Sequence, residues 1–195
     1  TAVLEPELFS DIYVACEKFD RRTKVGKEAA LDWEAKNQGK IGLDPSQMDS
    51  ITNIQASVRA HIAANRYLAR GYAELSVFWT DEETGLACKS RPDFLVLNEN
   101  GDLESILDVK TSQDAGRSSF AKSIANYGYD LQAAFYSDPF SAALGVEIPF
   151  RFLVVESEAP NAAAVYRTGP NTMELGRKKY RGALQLLQWC QQNDA

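Results

Sequence analysis

The chain has 195 residues, of which 45% are apolar, enough to close one hydrophobic core without disulfides or structural metals. Its formal net charge is -6 at pH 7, so charge balance alone argues against nucleic acid as a partner. The three cysteines, Cys16, Cys88 and Cys190, are odd in number and far apart, which excludes a disulfide framework and a CxxC-type metal site. Short apolar runs and the lack of a signal pattern favour a protein of the cytoplasm with no membrane contact.

The N-terminal quarter of the chain differs from the remainder in composition. Residues 1–50 are polar and carry a dense charge cluster at residues 18–27. They predict an N-terminal arm with helical pieces and a basic cluster, packed on the core. Residues 51–195 are assigned to that core, which makes the whole chain a single domain.

Helical signals surround the start of the predicted core. A turn at residues 42–45 precedes a predicted helix cap at Ser46 or Asp49. Apolar side chains recur at helical spacing over residues 51–70, with polar side chains mostly on the other side. This pattern predicts one amphipathic helix.

Three strand signals follow, at residues 72–80, 86–97 and 103–110. The polar turns between them contain Gly85 and the pair Asn100-Gly101. These residues supply the positive backbone angles that tight hairpins require, so the three strands are predicted to form an antiparallel meander.

The C-terminal half alternates between the two kinds of pattern. A helix is predicted at residues 118–138, which Gly128 could split in two, then strands at 148–156 and 163–168, then a helix at 171–192. The complete order predicts an α/β or α+β domain with a mixed central sheet flanked by helices.

Charged side chains interrupt the apolar pattern of the third predicted strand. Asp108 and Lys110 are two residues apart and share one face, which would be costly in a plain core. Asp93, near the middle of the preceding predicted strand, is returned beside them by the hairpin. Two carboxylates on adjacent strands suit Mg2+, and the lysine can hold a water and offset charge on a phosphoryl group. An Asp–Lys ion pair at a sheet edge is the structural alternative.

Other polar residues stand where they could join such a site. Gln132 and Tyr136 are one helical turn apart beside an apolar stripe, where a polar rim is the alternative. His61, the only histidine, lies at the border of the predicted helix's buried face and could simply be packed there. Glu74 is either an exposed strand residue or an acidic member of the site.

These residues stand in the order His61, Asp93, Asp108-x-Lys110 and Gln132-x-x-x-Tyr136. That order resembles the motifs of RecB-like nucleases in the PD-(D/E)xK superfamily. Residues 20–27, 73–76, 84–93, 108–111 and 132–136 are most similar to the RecE-like, or exodeoxyribonuclease VIII-like, branch and its phage relatives. The resemblance covers most of the chain and implies a restriction-endonuclease-like core.

The resemblance also implies an activity. It is that of a Mg2+-dependent, ATP-independent exonuclease, in which Mn2+ substitutes for Mg2+. Such an enzyme degrades linear double-stranded DNA from the 5' end and leaves 3' single-stranded overhangs for recombination. A RecT-like single-strand annealing partner, a ring-like homo-oligomer and the cytoplasm of a bacterial host are implied as well. The chain lacks GxxxxGK(S/T) and has only three cysteines, so we expect neither ATP coupling nor an iron-sulfur cluster.

The residues receive expected roles from this resemblance. The catalytic set is Asp93, Asp108, Lys110 and Glu74. The metal ligands are Asp93 and Asp108, with His61 as a third and the Val109 backbone carbonyl as a fourth. The residues expected to contact DNA or support the ligands from behind are Gln132, Tyr136, Arg91 and Thr111.

The distribution of charge along the chain weakens the argument against nucleic acid that the net charge suggests. Residues 18–27 and residues 167–181 each hold five basic side chains and one acidic one. The chain is thus an acidic body with two basic segments, which favours DNA contact in a basic-rimmed channel, although solvated helix faces are the alternative. The basic residues predicted to contact DNA are Arg21, Arg22, Lys24, Lys27, Arg177, Lys178, Lys179 and Arg181.

Two other functions stay open on these residues. A structure-selective or sequence-selective endonuclease could use the same core, and a closed circular substrate would separate it from an exonuclease. A catalytically silent DNA-binding subunit could keep the fold without the chemistry, and would not bind Mg2+ or Mn2+ tightly.

Overall fold

The computed structural model describes residues 2–193. The N-terminal part contains two helices and a pair of short strands, then two consecutive helices. These elements are α1 (Pro6–Ile12), β1 (Tyr13–Ala15), α2 (Lys24–Lys36), β2 (Ile41–Leu43), α3 (Pro45–Ala60) and α4 (Ile62–Leu68). Strands β1 and β2 pair in parallel with each other. The predicted arm therefore includes a two-stranded sheet as well as helical pieces.

The start of α3 is fixed by a capping box. Asp44 Oδ1 accepts a hydrogen bond from the Gln47 backbone N–H, and Gln47 Oε1 accepts one from the Asp44 N–H, both at 3.0 Å. This reciprocal pair satisfies two backbone donors that the helix leaves open. The cap predicted at Ser46 or Asp49 is therefore wrong, and Asp44 takes that place.

The single helix predicted over residues 51–70 is also wrong, because it is interrupted at His61. That residue has φ -79° and ψ 111°, an extended conformation, and it ends α3 and begins α4. Each helix thus presents its own apolar face, which the periodicity of the sequence had joined into one.

The remaining elements form a sheet with helices on both faces and one separate hairpin. They are β3 (Gly71–Ala73), β4 (Val77–Thr80), β5 (Ala87–Ser90), β6 (Phe94–Leu97), β7 (Leu103–Ser112), α5 (Arg117–Tyr127), α6 (Tyr129–Leu144), β8 (Phe150–Glu156), β9 (Ala163–Arg167) and α7 (Pro170–Asn193). The central sheet has the order β3-β6-β7-β8-β9, in which only β7 and β8 run parallel. The predicted mixed α/β class with a central mixed sheet is confirmed.

Two of the predicted strands are broken in the structure. The first is interrupted after Ala73, where Glu74 has a left-handed φ of 55°. The second is interrupted after Ser90, where Pro92 has no N–H to donate to a sheet. As a result β4 and β5 form a hairpin of their own, and the meander in the central sheet consists of β3, β6 and β7. Asp93 precedes β6 instead of lying in the middle of a strand.

Helices cover both faces of the central sheet, which explains why β8 is apolar from Phe152 to Val155. On one face, Phe150, Phe152 and Val154 pack with residues of α5, α6 and α7. On the other face, Leu153 and Val155 pack with residues of α3 and α4. Within residues 2–193, no helix has the length and apolar character that crossing a membrane requires.

Two glycines set the geometry of the helices that lie over the sheet. Gly128 has φ 68° and separates α5 from α6, as the sequence predicts. Gly176 lets α7 approach α6 closely, because a Cβ atom at that position would lie 2.0 Å from the Asp130 carbonyl oxygen. The helix that carries Gln132 is therefore held at both its start and its side.

Candidate active site

A closed set of polar contacts joins β7 to α6. Asp108 is only 1% exposed, and its Oδ1 accepts a hydrogen bond of 2.7 Å from Gln132 Nε2. Gln132 Oε1 accepts one of 3.0 Å from Lys110 Nζ. That Nζ atom also lies 2.7 Å from Asp108 Oδ2. The predicted neighbours Asp108 and Lys110 therefore share one face of the strand, and Gln132 bridges them.

The side chain of Asp93 links the two strands at the same place. Its Oδ2 accepts a hydrogen bond of 2.7 Å from the Val109 backbone N–H. Because Phe94 pairs with Leu107 in the antiparallel register, Asp93 lies beside the segment that holds Asp108. The expected convergence of two aspartates on adjacent chain segments is present, with Asp93 just outside its strand.

The electrostatics of the site favour the arrival of a cation. Burial, followed by the charge of Asp93, raises the pKa of Asp108 to about 6, against the opposing effect of Lys110. Two carboxylates held together in a partly desolvated place repel each other, and this repulsion raises the pKa of one of them. A divalent cation between them would relieve that repulsion.

Lys110 has a second contact, with an aromatic ring that the sequence motifs do not include. Lys110 Nζ lies 4.5 Å from the centroid of the Tyr129 ring, within the range of a cation–π interaction. Tyr129 and Gln132 are three residues apart on α6, so they lie on neighbouring positions of one helix face. That spacing, together with the helix start at Gly128, was the signal that could have identified Tyr129.

Glu74 and Arg91 form a pair at the base of the β4–β5 hairpin. Arg91 Nε lies 2.9 Å from Glu74 Oε2 and donates to the Glu74 carbonyl oxygen at 3.2 Å. The Glu74 backbone N–H donates to the Asp93 carbonyl oxygen at 3.0 Å. Arg91, predicted to contact DNA or support the ligands, thus orients and neutralises Glu74 in the structure.

A small cavity opens on the acidic side of this arrangement. It has a volume of about 320 Å³, and Glu74, Asp93 and Val109 line it. The lining also includes the apolar residues Leu4 and Ile54. Among the predicted acidic members of the site, Glu74 and Asp93 therefore face the same space.

His61 occupies the junction between α3 and α4. Its Nδ1 accepts a hydrogen bond of 3.1 Å from the Ala64 backbone N–H, which caps α4. The Nδ1 lone pair is engaged in this hydrogen bond, so in this arrangement it is not free to bind a metal. Within the described part of the chain, no group of three or more His, Cys, Asp or Glu side chains could hold a metal ion. His61 is therefore not brought into a cluster with the two aspartates.

The donor set that remains fits a hard divalent cation that keeps several of its waters. Asp108 Oδ2 is buried, and Lys110 Nζ lies 2.7 Å from it. The carboxylate oxygens of Asp93 and Asp108 are hard donors of the kind that such a cation prefers. Mg2+ is usually bound through one or two carboxylates together with waters and substrate oxygens. Asp93 and Asp108 would hold it, with the adjacent Val109 carbonyl as a further oxygen donor.

Tyr136 and Thr111 differ in their surroundings, since Tyr136 is half-buried and Thr111 is exposed. The Tyr136 ring packs edge-on against Phe150, with 6.5 Å between the ring centroids, and belongs to the rim of the core. Thr111 is exposed at the end of β7. Of the two motif residues on α6, Gln132 contacts the site directly and Tyr136 supports its packing.

Three of the four basic residues of α7 pair with acidic side chains of other elements. Arg177 contacts both oxygens of Asp138 at 3.0 Å, Lys179 lies 2.6 Å from Asp130, and Arg181 pairs with Asp81. These pairs fasten α7 to α6 and to the turn of the β4–β5 hairpin. Lys178 pairs only with Glu174, at 2.6 Å on the surface of the same helix. DNA contact by these four residues stays a prediction, and three of the four also hold α7 against neighbouring elements.

The basic cluster near the N-terminus is more exposed. Its ion pairs are short-range and lie on the surface around α2, which leaves their charges available to solvent. The pairs are Arg21 with Glu34 at 2.6 Å, Arg22 with Asp20 at 2.8 Å and Lys24 with Glu28 at 3.9 Å. Lys27 is also exposed. DNA contact by these four residues stays a prediction.

Comparison with known proteins places the chain in a family. The family described as a PDDEXK-like domain of unknown function (DUF3799) matches residues 1–195. Among solved structures, the chain is similar to a crystal structure named "Putative exonuclease" from Eubacterium rectale, with 13% identity and a TM-score of 0.56. The match covers 96% of this chain and 68% of that chain, and at such identity it shows the fold alone. No curated protein matches the chain.

The chain belongs to the family of PDDEXK-like domains. The predicted membership of the PD-(D/E)xK superfamily is confirmed, and its restriction-endonuclease-like core agrees with the mixed sheet described above. The assignment to the RecE-like branch stays a prediction.

Proposed function

We propose that this chain is a divalent-metal-dependent deoxyribonuclease that hydrolyses phosphodiester bonds of linear double-stranded DNA. The observation that carries the proposal is the buried Asp108, held beside Asp93 with its Oδ2 2.7 Å from the Lys110 ammonium. Membership of the PDDEXK-like family supports it. Mg2+ is the proposed ion, and Mn2+ is expected to substitute because it also favours oxygen ligands.

The residues of the chain divide the chemical work. A bound Mg2+ supplies Lewis acidity toward the phosphodiester and lowers the pKa of a coordinated water. Asp93 and Asp108 supply the carboxylates that hold the ion. Lys110 is held by Gln132 and the Tyr129 ring, so its ammonium is positioned to orient a water and offset charge that develops on the phosphoryl oxygens. Gln132 holds the Asp108 carboxylate and the Lys110 ammonium in their relative positions by a hydrogen bond to each.

More specifically, the proposed activity is that of an exonuclease that works from the 5' end and leaves 3' single-stranded overhangs. It rests on the RecE-like motifs of the sequence, and the name of the structural neighbour, "Putative exonuclease", agrees with the exonuclease class. A ring-like homo-oligomer, a RecT-like annealing partner and a cytoplasmic location are proposed on the same motifs. Attack on DNA ends, independent of ATP, is the central element of this assignment.

Linear duplex DNA labelled at the 5' or at the 3' end provides the test. With Mg2+ present, wild-type protein should release the 5' label first as nucleotides and should leave a closed circular duplex intact. Asp108→Ala and Lys110→Ala should abolish release, because they remove a metal ligand and the ammonium. Lys122→Ala, which changes an exposed lysine on α5, is the matched control and should digest DNA normally.

Each other result points to a defined alternative. Undiminished digestion by Asp108→Ala or Lys110→Ala would contradict the proposed mechanism. Cleavage of the closed circle would instead indicate an endonuclease on the same core. Absence of cleavage together with absence of Mg2+ and Mn2+ binding by calorimetry would identify a silent DNA-binding subunit.

A further inference from the structure

A second cavity lies beside the candidate active site, at the carboxyl end of β7. Its volume is about 460 Å³, within the range of small-molecule sites. Thr111 and Ser112 of β7 line it, and so does Tyr129. Lys110 Nζ lies 4.5 Å from the centroid of the Tyr129 ring, so the residue that contacts the proposed catalytic ammonium also lines this cavity.

One wall of the cavity is an aromatic ring that faces solvent. Tyr127, at the end of α5, is 71% exposed, and its ring centroid lies 5.6 Å from that of Tyr129. An exposed aromatic ring next to a polar cavity offers a flat face on which a nucleobase can stack. Tyr127 makes no contribution to the core, whereas Tyr129 packs against it.

The rest of the lining is rich in neutral hydrogen-bonding groups. Ser112, Ser119 and Ser123 place hydroxyl groups around the cavity, and Gln113 adds an amide. Hydroxyl and amide groups are common contacts of the sugar and of base edges. The lining therefore suits a polar, uncharged ligand with an aromatic face.

The charge of the cavity argues against a phosphate inside it. Asp114 is the one charged side chain among the described lining residues. Its carboxylate accepts hydrogen bonds from the Gly116 N–H at 2.7 Å and the Ser119 hydroxyl at 2.5 Å. The Ser119 hydrogen bond, followed by the one from Gly116, lowers the pKa of Asp114, so the group stays anionic and would repel a phosphate.

We infer that this cavity binds the base and sugar of an unpaired nucleotide next to the phosphodiester that is cleaved, with the base stacked on Tyr127. The inference rests on the proposed nuclease function and adds a subsite to it. The neighbouring phosphates would lie outside the cavity, toward Lys110. The ligand class is thus a nucleobase in single-stranded form, recognised by stacking and by neutral hydrogen bonds.

A binding experiment in EDTA tests the subsite without requiring cleavage. The probes are short single-stranded oligonucleotides with one 2-aminopurine, placed at each position in turn. Wild-type protein should quench the fluorescence strongly at one position, and Tyr127→Phe should do the same because the ring is kept. Tyr127→Ala should lose the quenching and at least about fivefold in affinity. Trp189→Ala, an exposed aromatic change on α7 with 55% exposure, should behave as wild type.

An abasic nucleotide at the quenched position completes the test. With that probe, Tyr127→Ala and wild type should bind equally, because the ring has no base to contact. Three outcomes would overturn the inference. They are equal affinity of wild type and Tyr127→Ala for the base-containing probe, an affinity loss for Tyr127→Ala that is as large on the abasic probe, and no binding of either probe by wild type. The nuclease proposal is judged separately by the Asp108→Ala assay, so the two failures are distinguishable.

Discussion

Gln132 and Asp108 are joined across two elements by a hydrogen bond of 2.7 Å from Nε2 to Oδ1. The same amide accepts from Lys110, so one side chain orients both the carboxylate and the ammonium. An amide suits this position because it offers a donor and an acceptor at once.

Removing this bridge should lower activity while the fold is kept. Gln132→Ala leaves Asp108 and Lys110 without their common partner, and we expect a loss of about 10- to 100-fold in kcat or metal affinity. Steady-state cleavage and Mg2+ titration measure it, and circular dichroism verifies folding. Gln185→Ala, at an exposed glutamine on α7 that pairs with Glu83, is the control. Wild-type rates for Gln132→Ala would exclude a positioning role.

Substitutions of His61 separate helix capping from metal binding. Asparagine is a good N-cap but a poor replacement for an imidazole ligand. We expect His61→Asn to retain stability and Mg2+ affinity, whereas His61→Ala should lose about 1 kcal/mol of unfolding free energy. Chemical denaturation and calorimetric metal titration give the two readouts. A stable His61→Asn protein that binds Mg2+ weakly would instead support the ligand role that the motif order implies.

Two basic residues of α7 should respond differently to alanine. Arg181→Ala leaves Asp81, which is 4% exposed, without its ionic partner, and should cost about 1–3 kcal/mol of unfolding free energy. Lys178→Ala removes an exposed pair within one helix and should change stability by less than about 0.5 kcal/mol.

DNA affinity measured on Lys178→Ala then tests the predicted DNA contact of α7. If α7 faces phosphates, Lys178→Ala should weaken binding uniformly across DNA sequences and reduce its salt dependence. Unchanged affinity and salt dependence for Lys178→Ala would contradict the predicted DNA contact of Lys178.

The raised pKa of Asp108 predicts a pH dependence of stability with a definite sign. The folded protein binds this proton more tightly than the unfolded chain, since the pKa rises from 3.8 to about 6. The stabilising contribution of the protonated group is complete below pH 3.8 and is lost as the pH rises through about 6. The unfolding free energy of wild type minus that of Asp108→Asn, measured in EDTA, should therefore fall over this interval and then level off. A difference that grows with pH would contradict the assignment.

The sequence predicted the part of the site that lies within regular elements. Asp108 and Lys110 share a face because β7 is a long regular strand, and the spacing of Gln132 on α6 follows from the helix that Gly128 begins. Sequence patterning identified Asp93 but placed it inside a strand. The break at Pro92 interrupts a stretch that otherwise has strand character, so Asp93 precedes β6. Sequence patterning also joined α3 and α4 into one helix, since the side chain of His61 caps a new helix without disturbing the apolar period.

Long-range contacts explain the remaining differences. The acidic partners of Arg177, Lys179 and Arg181 lie 39, 49 and 100 residues away in the chain. The local sequence reveals only the run of basic residues, and such a run is equally compatible with bound DNA and with internal ion pairs. The structure gives three of the four α7 residues an acidic partner on another element, and their contact with DNA stays a prediction.

The left-handed turn at Gly128 determines which changes of chain length the site can tolerate. An α-helix rotates by about 100° per residue, and Gln132 stands four positions after this glycine. One residue inserted between them would turn the amide away from β7, although α6 would remain a helix. An insertion at residues 113–116, before α5, would leave that rotation unchanged. The bridge from Gln132 to Asp108 and Lys110 therefore depends on the rotation of α6 about its axis. The connection from β7 to α5 can lengthen, whereas the number of residues between Gly128 and Gln132 must stay the same.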